Sequence, residues 1–320
     1  MRAELDHWAR VFPASIDQGN ESFAGSEVAR FVSNELPQSI RDALPGVLDR
    51  YQIQGSAGRG QWTHTPWVAV LDPAITTTVQ EGYYIVYLLS RDGQRLYLSI
   101  NQGCTRLFDT LGLEDARQEL ERRAELMRSR LASLPNRLSR SRVSLGVDLW
   151  RGQLYEAGDV LNSVYKSSAL PTEEDLRQDL REAVNLYNGL IASGGWEPDD
   201  QIAKVAEDEA GIVGDLVQAK RYKLHRAIER QATHSKAVKR IQGYRCKGCL
   251  KRMDENYGEI AAELIEAHHL APLSSLAESQ AVTFDPETDF AVLCPNCHSV
   301  IHRMEDVSNI SALRSCLKRN

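Results

Sequence analysis

RCKGC (245–249), IEAHHLAPL (265–273) and DFAVLCPNCHSVIHR (289–303) are the segments from which the rest of the chain is read. Two Cys-x2-Cys pairs, Cys246/Cys249 and Cys294/Cys297, bracket the dipeptide His268-His269. The second pair runs directly into His298-x3-His302. Thiolates at this spacing, offered by two separated knuckles, build a tetrahedral four-cysteine zinc site. Cys104 and Cys316 fall outside any pattern. In a reducing compartment the paired cysteines favour metal over disulfides.

A zinc ribbon with no catalytic part is the plain alternative for the cysteines alone, and the histidines weigh against it. Phosphodiester hydrolysis needs an activated water and a cation to stabilise charge on the phosphorane and the leaving oxygen. An imidazole near neutrality is a suitable base. Adjacent residues of a strand point to opposite faces, whereas residues four apart on a helix share one. One member of the His268/His269 pair can therefore meet His298 and His302 at a cation while the other takes a proton from water.

At these residues, over about 240–305, the chain resembles the HNH endonuclease family with its ββα-metal motif, in the zinc-knuckle branch that includes McrA-like restriction enzymes. The resemblance implies that His269 is the general base, that His268 and His298 bind the catalytic cation, and that His302 is a third ligand. It implies a structural zinc on Cys246, Cys249, Cys294 and Cys297. The catalytic ion would be Mg2+ or Mn2+, with Ni2+ and Co2+ as further candidates, and cleavage would leave 5′-phosphate and 3′-hydroxyl ends. The family's central residue, often Asn, corresponds here to Asp289, which can accept the same loop hydrogen bonds but cannot donate one. Asn296 is read as shaping the knuckle. His225 and His234, in the stretch before it, are read as surface residues.

Working outward, a hydrophobic content of 42% and a charged content of 26% are those of an ordinary globular protein. No apolar run approaches the roughly 20 residues that span a bilayer. MRAELDHWARVF lacks a hydrophobic signal core, so a cytoplasmic location is expected. The net charge of −6 opposes a uniformly basic nucleic-acid binder but leaves local clusters free to touch phosphate. Two such clusters run from Arg117 to Arg142 and from Lys236 to Arg252. A solvated helix face is the plain reading of the first; the second adjoins the cysteines and is the better candidate for phosphate contact.

Residues 1–50 read as helical, AELDHWARVF and SEVARFVSNEL, with Pro37 stopping the second. A glycine-rich turn at Gly55, Gly58 and Gly60 opens a β-rich block. Gly82–Ser90 and Gln94–Gly103, joined by an Asp92-Gly93 two-residue turn signal, read as an antiparallel hairpin. A basic helix is expected from about Leu113 to Leu134, and Val143–Trp150 is expected to return to the sheet. Thr172 is the expected N-cap of a helix ending before Gly194-Gly195. On a strand, Tyr84, Val86 and Leu88 share one face and Tyr83, Ile85 and Tyr87 the other, so both faces should be covered. An ordinary sheet core explains these aromatics; so does an aromatic pocket for an extruded base.

GSAGRGQWTHTPWVAVLD, EGYYIVYLL, LYLSINQG and ALPTEEDLRQDLREAVNLYNGLI resemble the N-terminal DNA-binding domain of McrB-type, modified-cytosine-dependent restriction proteins, the MrcB N-terminal family. The resemblance covers most of 45–195. It implies flipping of methylated or hydroxymethylated cytosine into a pocket lined by Trp67, Tyr84 and Leu88. Arg59, at the glycine-turn tip, stands where the relative places a Tyr against the gap. Trp62 is a further DNA-side candidate.

The fold class expected is α+β. Residues 1–195 form a mixed α/β modified-base-recognition domain with a curved antiparallel sheet, and 196–238 a helical linker or dimerisation arm. Residues 239–320 form a ββα-metal nuclease domain with a four-cysteine zinc site. The function expected is a modification-dependent restriction endonuclease of the type IV kind, serving phage defence. It would act on double-stranded DNA carrying 5-methylcytosine or 5-hydroxymethylcytosine. No G-x-x-x-x-G-K-[ST] is present, so no nucleotide cofactor is expected. A ββα centre cuts one strand at a time, so a double-strand break requires a homodimer or two independent nicks. The rivals are a sequence-specific nuclease on unmodified DNA, a non-catalytic modified-DNA reader with a structural zinc module, and an RNA nuclease.

Overall fold

The run YYIVYLL is apolar or aromatic at every position, and every residue of it is buried. The computed structural model describes residues 1–17, 23–44, 50–131, 136–229, 232–270 and 285–317. The chain divides into two compact units, Met1–Ile191 and Ala192–Asn320.

In the first unit, helices α1 (Arg2–Asp17), α2 (Glu27–Arg30) and α3 (Leu36–Asp42) precede strands β1 (Gln52–Gly58), β2 (Trp62–Leu71), β3 (Tyr83–Leu89) and β4 (Arg95–Gln102). Helices α4 (Thr105–Ser129) and α5 (Trp150–Ala157), strand β5 (Leu161–Lys166) and helix α6 (Glu173–Ala192) follow. The strands form one antiparallel sheet in sequence order. One face carries Ala69, Leu71, Tyr84, Val86, Leu88 and Tyr97, packed with Leu120 of α4 and Leu154 of α5. On the other, the Tyr187 hydroxyl of α6 donates to Tyr83 O at 2.9 Å, and the Tyr165 hydroxyl donates to Asp179 at 2.8 Å. A strand with two apolar faces needs this cover on both sides. Thr172 Oγ1 accepts from Asp175 N at 3.1 Å, in the manner expected of the N-cap of α6.

Four expectations need correction. Pro37 does not end its helix: a π-helical turn at Phe31–Glu35, with Leu36 N–H bonded to Phe31 O, leads into α3. The wider turn accommodates a ring that cannot donate and would crowd the preceding turn. Val143–Trp150 contributes no strand. Val143, Leu145 and Val147 are buried in alternation, but Ser144 bonds the Tyr97 hydroxyl, and the last strand is β5. Period-two burial arises there without a ladder. Asp92-Gly93 lies within a longer loop that Ser90 N–H closes onto Arg95 O, with Asp92 accepting from Gln94 N. Helix α4 keeps the expected start, since a break at Gly112, where φ is 76°, sets off the segment from Leu113, but it ends at Ser129 and not at about Leu134.

The arginines of α4 beyond Gly112 are met by their own helix: Arg117 by Glu114 and Glu121, Arg122 and Arg123 by Glu119, Arg128 by Glu125. Pairs three and four apart make this face self-neutralising.

The second unit contains α7 (Asp199–Ala210), α8 (Leu216–Glu229), α9 (Ala232–Gln242) and α10 (Asp254–Tyr257). Strands β6 (Glu266–His269) and β7 (Phe290–Leu293), then α11 (Pro295–Ile301) and α12 (Ile310–Ser315), complete it. β6 and β7 pair antiparallel, with His269 opposite Phe290. Ile228, Val238, Ile265, Val292, Leu293 and Ile301 form the core between them. Among the described residues no helix is long and apolar enough to cross a membrane.

Candidate functional site

The loop after α9 turns back on itself through Leu250 N–H to Cys246 O at 2.9 Å, and Leu250 takes a left-handed φ of 62°. Cys294 caps α11, its sulfur accepting from Cys297 N at 3.5 Å. Cys246, Cys249, Cys294 and Cys297 thereby face one another, with Cys249 Sγ and Cys294 Sγ 3.9 Å apart. Zinc at about 2.3 Å from each sulfur would set the sulfurs about 3.8 Å apart. Hydrogen bonds from Cys294 and Cys297 hold the Cys246 thiol far below its ordinary range, while its bond to Cys246 pushes Cys294 up to about 11. Sulfurs competing for protons in this way form a site that can hold a dication such as zinc.

A second cluster lies in the same unit. Glu229, His268, His298 and His302 are all buried and bring one ligand atom each within 4.8 Å of the others. Strand alternation puts Glu266 and His268 on one face of β6, and the Glu266 carboxylate accepts from His298 Nδ1. His268 Nε2 lies 2.7 Å from Val307 O. The outward nitrogens of both rings are thus engaged, and the inward ones face Glu229 Oε1, His268 Nδ1 at 2.8 Å and His298 Nε2 at 3.0 Å. His302 Nε2, at the end of α11, is 3.1 Å from His298 Nε2 and 3.2 Å from Glu229 Oε2. Imidazoles whose far nitrogen is bonded to a carboxylate or carbonyl are oriented as metal ligands are.

Charge in the cluster is finely divided. Burial favours the neutral form of Glu229, but the histidines around it outweigh burial and hold the carboxyl well below its ordinary range. Burial opposes a proton on His298, yet Glu229 and Glu266 push that ring up to about 9. Burial pushes His302 down to about 4 and lowers His268.

The structure brings His268, His298 and His302 together and leaves the His269 ring outside that set. It is fully buried, 5.2 Å from the Phe290 ring, on the opposite face of β6. Asp289 accepts from Asp285 N at 2.8 Å, and its carbonyl accepts from Leu270 N at 2.7 Å, so it braces the end of the hairpin. Asn296 is exposed beside the knuckle.

The surface reading of His225 is corrected. It is 4% exposed, its Nε2 lies 2.9 Å from His269 O and its Nδ1 3.4 Å from Glu229 Oε1. One turn of α8 places it beside Glu229, so the helical face that carries it turns toward β6. The side chain of His234 lies outside the described residues. Glu229 and Glu266 went unread in the sequence, although Glu266 precedes His268 by two on a strand and so had to share its face.

In the first unit Trp67, partly buried, lies directly across from Leu88. Tyr84 lies further along the same face, with its hydroxyl on Val79 O at 3.0 Å; Tyr84 and Leu88 are buried in the core. Arg59 is exposed at the β1–β2 tip. Its neighbour Gly58 has φ 135°, and a Cβ there would sit 1.9 Å from Gln61 O, so that turn requires glycine. Trp62 pairs with Gly58 and packs edge-on against Phe12 and Phe23.

Comparison with known proteins bears on the first unit. Neither the curated proteins nor the solved structures yield a match. Residues 14–192 match the family model of the MrcB-like, N-terminal domain. That match spans more than half of the chain, and the protein belongs to this family of McrB-like restriction-system proteins.

Proposed function

We propose that this protein is a modification-dependent restriction endonuclease of the cytoplasm. Its first unit recognises double-stranded DNA carrying 5-methylcytosine or 5-hydroxymethylcytosine by extruding the base. Its second unit hydrolyses the phosphodiester backbone at an HNH centre. The observation that carries the reading is the inward convergence of His268, His298 and His302, beside a four-cysteine cluster, in a chain of the MrcB-like family.

In this reading His268 Nδ1, His298 Nε2 and His302 Nε2 hold a divalent cation. The donor set fits one: inward nitrogens about 3 Å from their neighbours, with outward nitrogens tied to Val307 O and Glu266. A cation bound there supplies stabilisation for charge on the phosphorane and leaving oxygen. His269 takes the proton of the attacking water, and because its ring is buried against Phe290, that role requires DNA binding to admit water to it. Trp67, Tyr84 and Leu88 line the base pocket in this reading, Trp67 from a partly buried position and the other two from the core behind it. Arg59 enters the vacated stack or meets phosphate. A homodimer places two such centres on opposite strands.

The test is incubation of the purified protein with matched plasmids carrying C, 5mC, 5hmC or 6mA, with Mg2+ or Mn2+. Cleavage confined to 5mC or 5hmC plasmid, lost in His298→Ala, supports the reading. Equal cutting of modified and unmodified plasmid points instead to a sequence-specific nuclease. The burial of His269 favours one second reading, a modified-DNA reader whose zinc module only folds the second unit. That reader binds modified DNA and cuts none of the plasmids.

A further inference from the structure

Helix α8 lies in the stretch read from the sequence as a linker, yet its last turn enters the second cluster. Glu229 has a side chain only 2% exposed, and its two oxygens face all three histidines, at 2.8 Å, 3.0 Å and 3.2 Å. A carbonyl can only accept, so His268 Nε2 carries the hydrogen shared with Val307 O, and Nδ1 is the ring nitrogen turned toward Glu229. A carboxylate oxygen and an imidazole nitrogen 2.8 Å apart share a cation or a proton between them. Spacings of about 3 Å are those between neighbouring ligands of one ion held at about 2.1 Å.

From this geometry we propose that Glu229 is the fourth protein ligand of the cation bound by His268, His298 and His302, and that His225 is the residue that positions it. The proposal rests on the metal-centre reading above and deepens it. His225 stands one turn before Glu229 on α8. Its Nε2 hydrogen goes to His269 O at 2.9 Å, since that carbonyl can only accept. This bond ties α8 to β6 at the His268-His269 dipeptide. Arg226, 3.4 Å from Glu229 Oε2, holds the other oxygen. The backbone N–H of His269 adds a bond to Glu229 Oε1 at 3.2 Å, so the carboxylate is fixed from both elements. The helix before the first knuckle is thereby part of the centre, and a fragment beginning at residue 239 lacks one ligand.

The experiment uses the full-length protein with its zinc retained and reads Mn2+ binding from the electron paramagnetic resonance signal of the free ion. Mn2+ is suited because a four-thiolate site does not favour it. One Mn2+ per chain is expected for the wild type. Glu229→Gln should weaken binding at least about 10-fold, and His225→Ala about 10-fold, the loss typical of removing an outer partner. His298→Ala should abolish binding. Wild-type affinity in Glu229→Gln alongside loss in His298→Ala overturns the role of Glu229 and leaves the metal-centre reading standing. Absence of Mn2+ binding by the wild type removes that reading, and this proposal with it. Because Glu229→Gln can fail to fold, a second measurement uses the wild type alone: the anomalous scattering peak of Mn2+ in its crystals. A peak within about 2.3 Å of a Glu229 oxygen supports the assignment. A peak held by the histidines with Glu229 turned away overturns it.

Discussion

The Glu266 carboxylate accepts from His298 Nδ1, and two residues along the same strand, on the same face, stands His268. One carboxylate at the rim of the cluster thus sets the orientation of a ring supplied by a different element, α11, and turns its Nε2 inward.

Glu266→Ala should remove that orientation while leaving the zinc site intact. The expected outcome is a 10–100-fold loss in cation affinity or cleavage rate, the magnitude typical of an outer partner, with most of it restored in Glu266→Gln, whose amide oxygen still accepts. Zinc content measured on the same samples checks that folding is unchanged. Equal loss in both variants would mean that charge, not orientation, is what Glu266 supplies.

Cys294→Ser should release one zinc per chain and lower the stability of the second unit, since Cys294 is both a sulfur donor and the cap of α11. Calorimetry with elemental analysis reads both effects. The transition belonging to the first unit should stay in place.

Trp67 and Tyr84 separate recognition from folding. Trp67 is partly buried beside Leu88, so Trp67→Ala should abolish the preference for 5mC over C in a DNA-binding assay while the protein stays folded. Tyr84 is 1% exposed in the core, and Tyr84→Ala should cost about 3–5 kcal/mol of stability. Retained 5mC preference in Trp67→Ala would move the pocket elsewhere.

Asp159 gives a pH dependence of known sign. Burial pushes its carboxyl up to about 6, outweighing the bonds from Ser99 and Asn162. The folded chain therefore keeps a proton that the unfolded chain has lost. This contribution to stability is fully present below about pH 4 and is lost as pH rises through about 6, roughly 1.4 kcal/mol per unit. The unfolding free energy of the wild type minus that of Asp159→Asn should fall by about 3 kcal/mol between pH 4 and pH 7. A difference that does not change with pH would contradict the assignment.

The parts of the molecule legible in the sequence are those coded by local spacing. The β3–β4 hairpin follows from two apolar and aromatic runs either side of a turn dipeptide, the start of α6 from Thr172, and the four-cysteine cluster from two Cys-x2-Cys pairs. What escaped is set by tertiary contact. Glu229 joins residues 39 to 73 positions away in the chain, and a lone glutamate in a charged helix carries no spacing that points to them. The one available signal was His225-x3-Glu229, two residues on one helical face. Residues 143–150 show the opposite failure: alternation predicts a strand, but Ser144 spends its backbone groups on the Tyr97 hydroxyl instead of a ladder.

The most direct measurement is supercoiled-plasmid cleavage by the wild type, His298→Ala and His269→Ala, with Mn2+, on 5mC-containing and unmodified DNA of the same sequence. Nicked or linear product from 5mC plasmid alone, absent in both variants while Mn2+ binding persists in His269→Ala, is the result expected of a nuclease built on these histidines. Binding of 5mC DNA with the plasmid left supercoiled by the wild type would contradict hydrolysis and leave a reader of modified DNA.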